Sequence, residues 1–229
     1  RKLAESFNLA LLKPIEKKKR EADFLWMPGS RTRKRPAVAK YSHFIISGSE
    51  ASVVNDNPWE DNLKMLIDKV IDKKKPLLGI CYGHQFLARV LLGRQAVRHS
   101  PTPEFGWLGI PLVENPLFEG ITDPVFMVSH YDEVCDLTRD FKVLASSPGC
   151  ALHAFQYKNL PVWGVQFHPE YKVKEAEEIF NILREEDSSL STYFFNKLRD
   201  EAQLEQNERI FLNFLSHQDT KTPRHEERG

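Results

Sequence analysis

The 229-residue sequence has few cysteines, no excess of charge of either sign and no long apolar run. Its three cysteines, Cys81, Cys135 and Cys150, are too few and too irregularly spaced for a disulfide framework, which favours free thiols in a reducing compartment. The 32 basic residues balance the 32 acidic ones, so no overall field points to nucleic acid or to a membrane surface. Since no segment is typical of a membrane span or a secretory signal, we expect a cytoplasmic protein.

Two common cofactor signals are also missing. The sequence has no glycine-rich ATP loop, and no carboxylates and imidazoles have a metal-ligand spacing such as His-Glu-X-X-His. We therefore predict no cofactor and no metal. Neither Cys135 nor Cys150 lies between two glycines at the start of a predicted helix, so we interpret both as packing or surface thiols.

The strongest chemical signal lies in residues 76–88. The segment begins with an apolar run, 77–80, typical of a buried strand, and continues with an apolar pattern at helical spacing. Cys81 lies at the junction, between Gly79 and Gly83. Glycines on both sides allow a sharp turn and close packing of the strand against the helix. This is the pattern of a nucleophile elbow with sulfur in place of oxygen, and the adjacent helix start favours the thiolate.

A second apolar strand, 161–167, ends in His168, Pro169 and Glu170. A cysteine nucleophile needs a base, and the base needs an orienting acid. Since the carboxyl ends of neighbouring parallel strands line one crevice, His168 and Cys81 can meet there. His84 is the alternative base, because it follows Cys81 by three residues, but a side chain in the first helical turn tends to point away from the elbow.

Together, Gly-Ile-Cys-Tyr-Gly-His-Gln at 79–85 and Gly-Val-Gln-Phe-His-Pro-Glu at 164–170 resemble the class I glutamine amidotransferases of the Cys-His-Glu type. The resemblance covers about residues 44–214 and is nearest to the free-standing, GMP-synthase-like members and the γ-glutamyl peptidases. It implies an α/β fold, a doubly wound, mostly parallel, flavodoxin-like sheet with a nucleophile elbow, a small antiparallel meander and C-terminal helices. It also implies a catalytic triad of Cys81, His168 and Glu170.

The resemblance further implies an oxyanion hole and a substrate pocket. Backbone N–H groups of Tyr82 and of the loop at Gly48 and Ser49 would hold the oxyanion; the loop reads Ser-Gly-Ser-Glu where the family usually has Ser-Gly-Gly-Pro. Gln85 corresponds to the family position that contacts the substrate amide. The remaining pocket residues implied by the resemblance are Ser129, His130 and Tyr131.

At the start of the chain, Leu3, Phe7 and Leu11 have helical spacing, so we predict an amphipathic helix there and a missing first core strand. Residues 24–27 predict a short strand. The basic clusters at 17–20 and 31–35 are interpreted as solvated loops, with nuclear targeting or an anionic partner as the sharper alternatives.

Farther along the chain we predict helices over 62–73, 171–186 and 190–215. Residues 104–107 resemble the Glu-X-Gly-Trp strand start of free-standing family members, with an ordinary antiparallel edge strand as the alternative. Successive strands are expected over 143–147, 151–157 and 161–167. The whole is predicted to be one domain, residues 1–215, followed by a polar, disordered tail over 216–229.

Three functions remain open from the sequence. The first is a glutaminase that cleaves the γ-carboxamide of glutamine through a thioester on Cys81 and passes ammonia to a separate synthetase subunit. The second is a free-standing γ-glutamyl peptidase or hydrolase. The third is a non-catalytic regulatory or binding domain on the same fold, which the presence of Cys81, His168 and Glu170 argues against. Neither nucleic acid nor a membrane is expected as a partner.

Overall fold

The computed structural model describes residues 8–12, 22–26 and 37–217. In chain order its strands are β1 (Asn8–Leu12), β2 (Ala22–Trp26), β3 (His43–Ile46), β4 (Leu77–Ile80), β5 (Val97–Gly109), β6 (Val125–Val134), β7 (Phe141–Ala145), β8 (Ala154–Tyr157), β9 (Val162–Val165) and β10 (Phe194–Asn196). Its α-helices are α1 (Glu60–Asp72), α2 (Tyr82–Leu92), α3 (Val173–Glu186) and α4 (Arg209–Ser216).

A seven-stranded sheet forms the centre of the fold, in the order β2-β1-β3-β4-β9-β8-β7. The three central strands, β3, β4 and β9, are parallel, and the strands on either side pair antiparallel. The run β7-β8-β9 is the predicted meander. Because β4 and β9 are neighbours with matched register, the residues that follow Ile80 and Val165 lie at the same sheet edge.

The central sheet is covered on both faces, since successive side chains of a strand point to opposite sides. In β4, Leu77 packs into the core formed with α1 and α2, whereas Leu78 packs into the core on the other side. In β9, Val162 packs into the core with α1 and α2, and Trp163 packs into the core on the other side. There Phe214 of α4 packs against Trp163. The α/β class and the two-faced core agree with the prediction.

A second sheet of three strands, β10-β5-β6, packs beside the first. The strand at 104–107 is not an edge strand, because β5 lies between β10 and β6. Gly106 permits this arrangement, since a Cβ there would come 2.1 Å from the carbonyl oxygen of Phe195. Phe180 of α3 packs edge-on against Trp107 of β5.

The prediction of an N-terminal helix is wrong for its described part. Asn8–Leu12 is a strand between β2 and β3, so a strand does precede the first helix where we expected one to be missing. Leu9 and Leu11 also fit the two-residue period of a strand, so the pattern is compatible with either a helix or a strand. Pairing of this segment with β2 on one side and β3 on the other selects the strand. Residues 1–7 lie outside the described residues, as do both basic clusters at 17–20 and 31–35. The strand predicted near Phe24 is confirmed as β2.

The prediction of one helix over 190–215 is also wrong. The segment divides into a 3₁₀ helix at Ser188–Tyr193, strand β10, a 3₁₀ helix at Glu201–Glu208 and α4. Ladder pairing of β10 with β5 takes the backbone out of the helical conformation. The predicted tail begins too early, because Ser216 belongs to α4 and the His217 ring packs on Trp163; residues 218–229 lie outside the described residues.

The helices predicted over 62–73 and 171–186 are confirmed as α1 and α3, with boundaries shifted by a few residues. The helix after the cysteine is confirmed as α2. In the part of the chain that the structure describes, every helix is too short or too polar to cross a bilayer.

Candidate active site

Cys81 lies between the end of β4 and the start of α2, with φ of 49° and ψ of −106°. This left-handed conformation is unfavourable for a residue with a Cβ and is held by the surrounding structure. The flanking glycines make the turn sterically feasible. A Cβ on Gly79 would come 2.5 Å from the carbonyl of Gly83, and a Cβ on Gly83 would come 2.3 Å from the carbonyl oxygen of Ile46. The predicted elbow geometry is therefore present.

His168 follows β9 and is fixed by both its backbone and its ring. Its N–H donates to the carbonyl of Met127 in β6 at 2.8 Å. Its Nδ1 lies 2.8 Å from Oε1 of Glu170, and Tyr171 packs edge-on against the ring at 5.3 Å. The Glu170 contact assigns the proton to Nδ1, so Nε2 carries the lone pair when the ring is neutral. Tyr171 was not predicted from the sequence as a site residue.

Cys81 and His168 meet at the loop after β3. A Cβ built on Gly48 would lie 2.9 Å from Cε1 of His168 and 3.6 Å from Cβ of Cys81. The two side chains therefore lie beside the same loop residue. Burial by itself lowers the pKa of His168, but the negative charges of Glu170 and Cys81 and the hydrogen bonds to them raise it overall. The surroundings of His168 thus favour its imidazolium form.

The sulfur of Cys81 has two further contacts. Sγ lies 3.8 Å from the carbonyl oxygen of Ser129, and the Nε2 amide of Gln166 donates to Sγ at 3.6 Å. Gln85 supports Gln166, because its Nε2 donates to Oε1 of Gln166 at 3.0 Å and to the carbonyl of Asp132 at 2.7 Å. Gln166 was not predicted from the sequence as a site residue, although it lies only two residues before His168 in the same segment after β9.

The predicted oxyanion donors lie next to this pair. Gly48 borders both Cys81 and His168, and Tyr82 follows Cys81 as the first residue of α2. Ser49 has an ordinary negative φ, so the substitution of serine for the usual glycine imposes no backbone strain. Its hydroxyl accepts a hydrogen bond from the N–H of Ala51 at 3.1 Å, which closes the turn. The backbone of this loop is therefore compatible with the predicted role.

The other histidines near the elbow have different surroundings. His84 is fully buried against Phe155, and burial lowers its pKa to about 3, so the ring stays neutral and is unsuited as a base at neutral pH. His130 is also buried, with its ring directed at Glu104 rather than at Cys81. Tyr131, by contrast, is half exposed. Of these three histidines, His168 is the one that shares the Gly48 loop with Cys81 and has its Nδ1 on a carboxylate.

One group of side chains within residues 37–217 has the composition of a metal site. It consists of Glu104, His130, Cys150 and His153, and we call it the buried cluster. Each member offers one ligand atom, and these atoms lie within 4.8 Å of one another. The sequence prediction of no metal did not consider this set, because its members come from separate strands and a loop.

Comparison with known proteins gives one family. The model of the class-I glutamine amidotransferases matches residues 4–185. A protein named as one subunit of the glutamine-hydrolysing GMP synthase, from Pyrococcus abyssi, is 36% identical over 125 residues, which are 54% of this chain and 64% of that protein. The corresponding protein from Saccharolobus solfataricus is 36% identical over 146 residues, covering 62% of this chain and 75% of that one. The chain thus spans less than two thirds of the Pyrococcus relative.

Solved structures agree on the fold. A glutamine amidotransferase from Methylobacillus flagellatus superposes with a TM-score of 0.69 at 22% identity, covering 84% of this chain and 83% of that one. At this identity the likeness concerns the fold alone. The family match covers most of the chain and includes both the elbow and the His-Pro-Glu segment. It therefore identifies the family as well as the fold. The chain belongs to the class-I glutamine amidotransferase family.

Proposed function

We propose that this protein hydrolyses the γ-carboxamide of glutamine, with Cys81 as nucleophile, His168 as acid and base, and Glu170 as the residue that orients His168. One observation carries the proposal. A cysteine held at φ 49° on a strand-to-helix elbow borders the Gly48 loop together with a histidine whose Nδ1 lies 2.8 Å from a glutamate. Nucleophile, base and orienting acid are the three parts that covalent acyl transfer needs.

In the first half-reaction, the Cys81 thiolate attacks the γ-carbon and forms a C–S bond, while the carbonyl oxygen takes the negative charge. Backbone N–H groups of Tyr82 and of the Gly48–Ser49 loop stabilise this oxyanion; one such donor is typically worth about 10²–10³ in rate. The C–N bond then breaks, and the proton on His168 Nε2 moves to the leaving nitrogen. The products of this step are ammonia and a γ-glutamyl thioester.

In the second half-reaction, the neutral His168 takes a proton from water, and the hydroxide adds to the thioester. The C–S bond breaks, glutamate leaves, and the thiolate–imidazolium pair is restored. Gln166 donates its amide N–H to the sulfur at 3.6 Å, which stabilises negative charge on Cys81 before attack and after release.

We further propose that the ammonia passes to a separate synthetase. The relatives from Pyrococcus and Saccharolobus support this, since their name assigns them one subunit of a glutamine-hydrolysing GMP synthase. The nitrogen acceptor would then bind to the partner, and the present chain would contribute only the glutaminase.

The direct test is glutamate release from glutamine by the wild-type chain and two cysteine variants. Cys81→Ala removes the nucleophile, and we expect the rate to fall by at least about 10⁴. Cys135→Ser is the matched control, because this thiol bonds the carbonyl of Gln95 away from the elbow; we expect wild-type rates. Retained hydrolysis in Cys81→Ala would overturn the mechanism.

A substrate panel separates glutaminase from γ-glutamyl peptidase. The wild-type chain is given free glutamine and a γ-glutamyl dipeptide, each with and without extract containing a candidate synthetase. We expect cleavage of free glutamine, stimulated by the extract. Cleavage of the dipeptide but not of glutamine would support the proposed chemistry on a different substrate, a γ-glutamyl peptide. No cleavage under any condition would overturn the proposed activity.

A further inference from the structure

The buried cluster is distinct from the elbow in position and in contacts. Glu104 and His130 are direct partners in the β5–β6 ladder, so their side chains leave the sheet side by side. Cys150 and His153 come from the loop before β8, with two residues between them. All four side chains are buried.

The hydrogen bonds of His130 show why a cation suits this place. Nδ1 of His130 lies 3.1 Å from the carbonyl oxygen of Asp132, which can only accept, so Nδ1 carries a proton. In a neutral ring Nε2 then presents a lone pair. That nitrogen lies 3.2 Å from Oε2 of Glu104, which is also an acceptor. Two acceptors face each other, and a positive charge is needed between them.

A metal ion would supply this positive charge and could bind more of the surrounding ligand atoms than a proton could. The same Oε2 of Glu104 lies 2.9 Å from Nε2 of His153, and the sulfur of Cys150 lies within 4.8 Å of the other ligand atoms. A proton on His130 would link only His130 and Glu104, and His153 Nε2, which also lies 3.1 Å from the hydroxyl of Ser147, could donate its own proton to Glu104. A metal ion would engage all four ligand atoms at once. Two imidazoles, one thiolate and one carboxylate are a ligand set for zinc.

Groups around the cluster fix the ligands as outer partners of metal sites do. The carbonyl of Asp132 holds the His130 ring with Nε2 directed inward. The hydroxyl of Ser147 donates to Oε1 of Glu104 at 2.7 Å and accepts from the N–H of Cys150 at 2.9 Å. A cavity of about 530 Å³ is lined in part by Glu104 and by Gly149, the residue before Cys150.

We propose that Glu104, His130, Cys150 and His153 bind one zinc ion as a closed, structural site. Binding replaces the thiol proton of Cys150, which leaves to solvent, and one carboxylate and one thiolate balance the two charges of the ion. With four protein ligands the site has no position for a substrate. The ion would tie the β5–β6 pair, whose Ser129 carbonyl faces the sulfur of Cys81, to the loop before β8.

The test begins with the full wild-type chain, expressed with added zinc and dialysed against chelating resin. We expect about one zinc ion per chain by elemental analysis. Replacement by cobalt should give thiolate-to-cobalt charge-transfer absorption. A dialysed chain that retains less than about a tenth of an ion, and that develops no cobalt spectrum, would overturn the proposal and leave a buried His130–Glu104 pair instead. This measurement requires no variant to fold.

Cysteine variants locate the ion. Cys150→Ser should lose both the zinc and the charge-transfer band, whereas Cys135→Ser should keep both. Cys81→Ser should also keep the ion, because the elbow thiol does not belong to the cluster. Loss of the metal in Cys81→Ser with retention in Cys150→Ser would place the ion at the elbow and overturn the assignment.

Discussion

The protein brings a cysteine, a histidine and a glutamate together at two places, and the two places differ in what they can do. At the elbow, Cys81 has a left-handed backbone, and the side chain of its partner acid, Glu170, is 35% exposed. In the buried cluster, the side chain of Glu104 is 2% exposed, and its oxygens contact His130, His153 and Ser147. The residue types are the same, but only at the elbow does the cysteine lie on a strand-to-helix turn.

Backbone position and solvent access account for the difference. The elbow carries Cys81 beyond the end of β4, beside a half-exposed loop at Gly48. Burial raises the pKa of Cys150 to about 12, so without a metal this thiol stays protonated. A cysteine next to a histidine is therefore insufficient evidence for a nucleophile, and the strand-to-helix turn supplies the missing part.

The largest expected difference between the two places is in alkylation. A glutamine analogue with an electrophilic ketone at its γ-end should modify Cys81 completely and leave Cys150 unmodified, because Cys81 is the proposed nucleophile on the elbow, whereas Cys150 is fully buried away from it. Peptide mass mapping reads out all three cysteines. Iodoacetamide is the control reagent, since it should also reach the partly exposed Cys135. Modification of Cys150 by the glutamine analogue would remove this distinction between the two sulfurs.

The next largest effect concerns the open side of the elbow. Gly48→Ala would place a methyl group 2.9 Å from Cε1 of His168, so the ring or the loop must move. We expect glutamine hydrolysis to fall by about 10²–10³, the usual cost of a misplaced oxyanion donor. Gly109→Ala is the matched control, because its Cβ would come no closer than 3.9 Å to the carbonyl oxygen of Pro124. Equal activity in the two variants would mean that the Gly48 loop does not border the reacting atoms.

The contrast between the two places also explains what sequence could predict. The elbow was predictable because Gly79, Cys81 and Gly83 are local in the chain, and the strand and helix around them have unambiguous periods. The His-Pro-Glu segment was predictable for the same reason. The parallel neighbours β4 and β9 then bring the two segments together.

The buried cluster was not predictable by spacing alone. Glu104 and His130 become neighbours only through the register of the β5–β6 ladder. Cys150 and His153, with two residues between them, were the one local signal, but a single such pair is weak. The same limit explains the missed strand β10, since helical spacing in residues 190–215 says nothing about pairing with β5. Long-range pairing is the information that the sequence pattern omits.

The smallest expected effect tests the acid at the elbow. Glu170 raises the pKa of His168, so Glu170→Gln should lower it and move the alkaline limb of kcat/KM to lower pH. The rate at the optimum should fall by roughly 10- to 100-fold, because the amide still accepts a hydrogen bond from Nδ1 but carries no charge.

Glu175→Gln, a change on the exposed first turn of α3, is the control and should leave the pH profile in place. An alkaline limb that is unmoved in Glu170→Gln would show that this limb reports a group other than His168. The exposed carboxylate would then orient the ring without setting its charge, and the elbow would resemble the buried cluster in using its glutamate only as a structural partner.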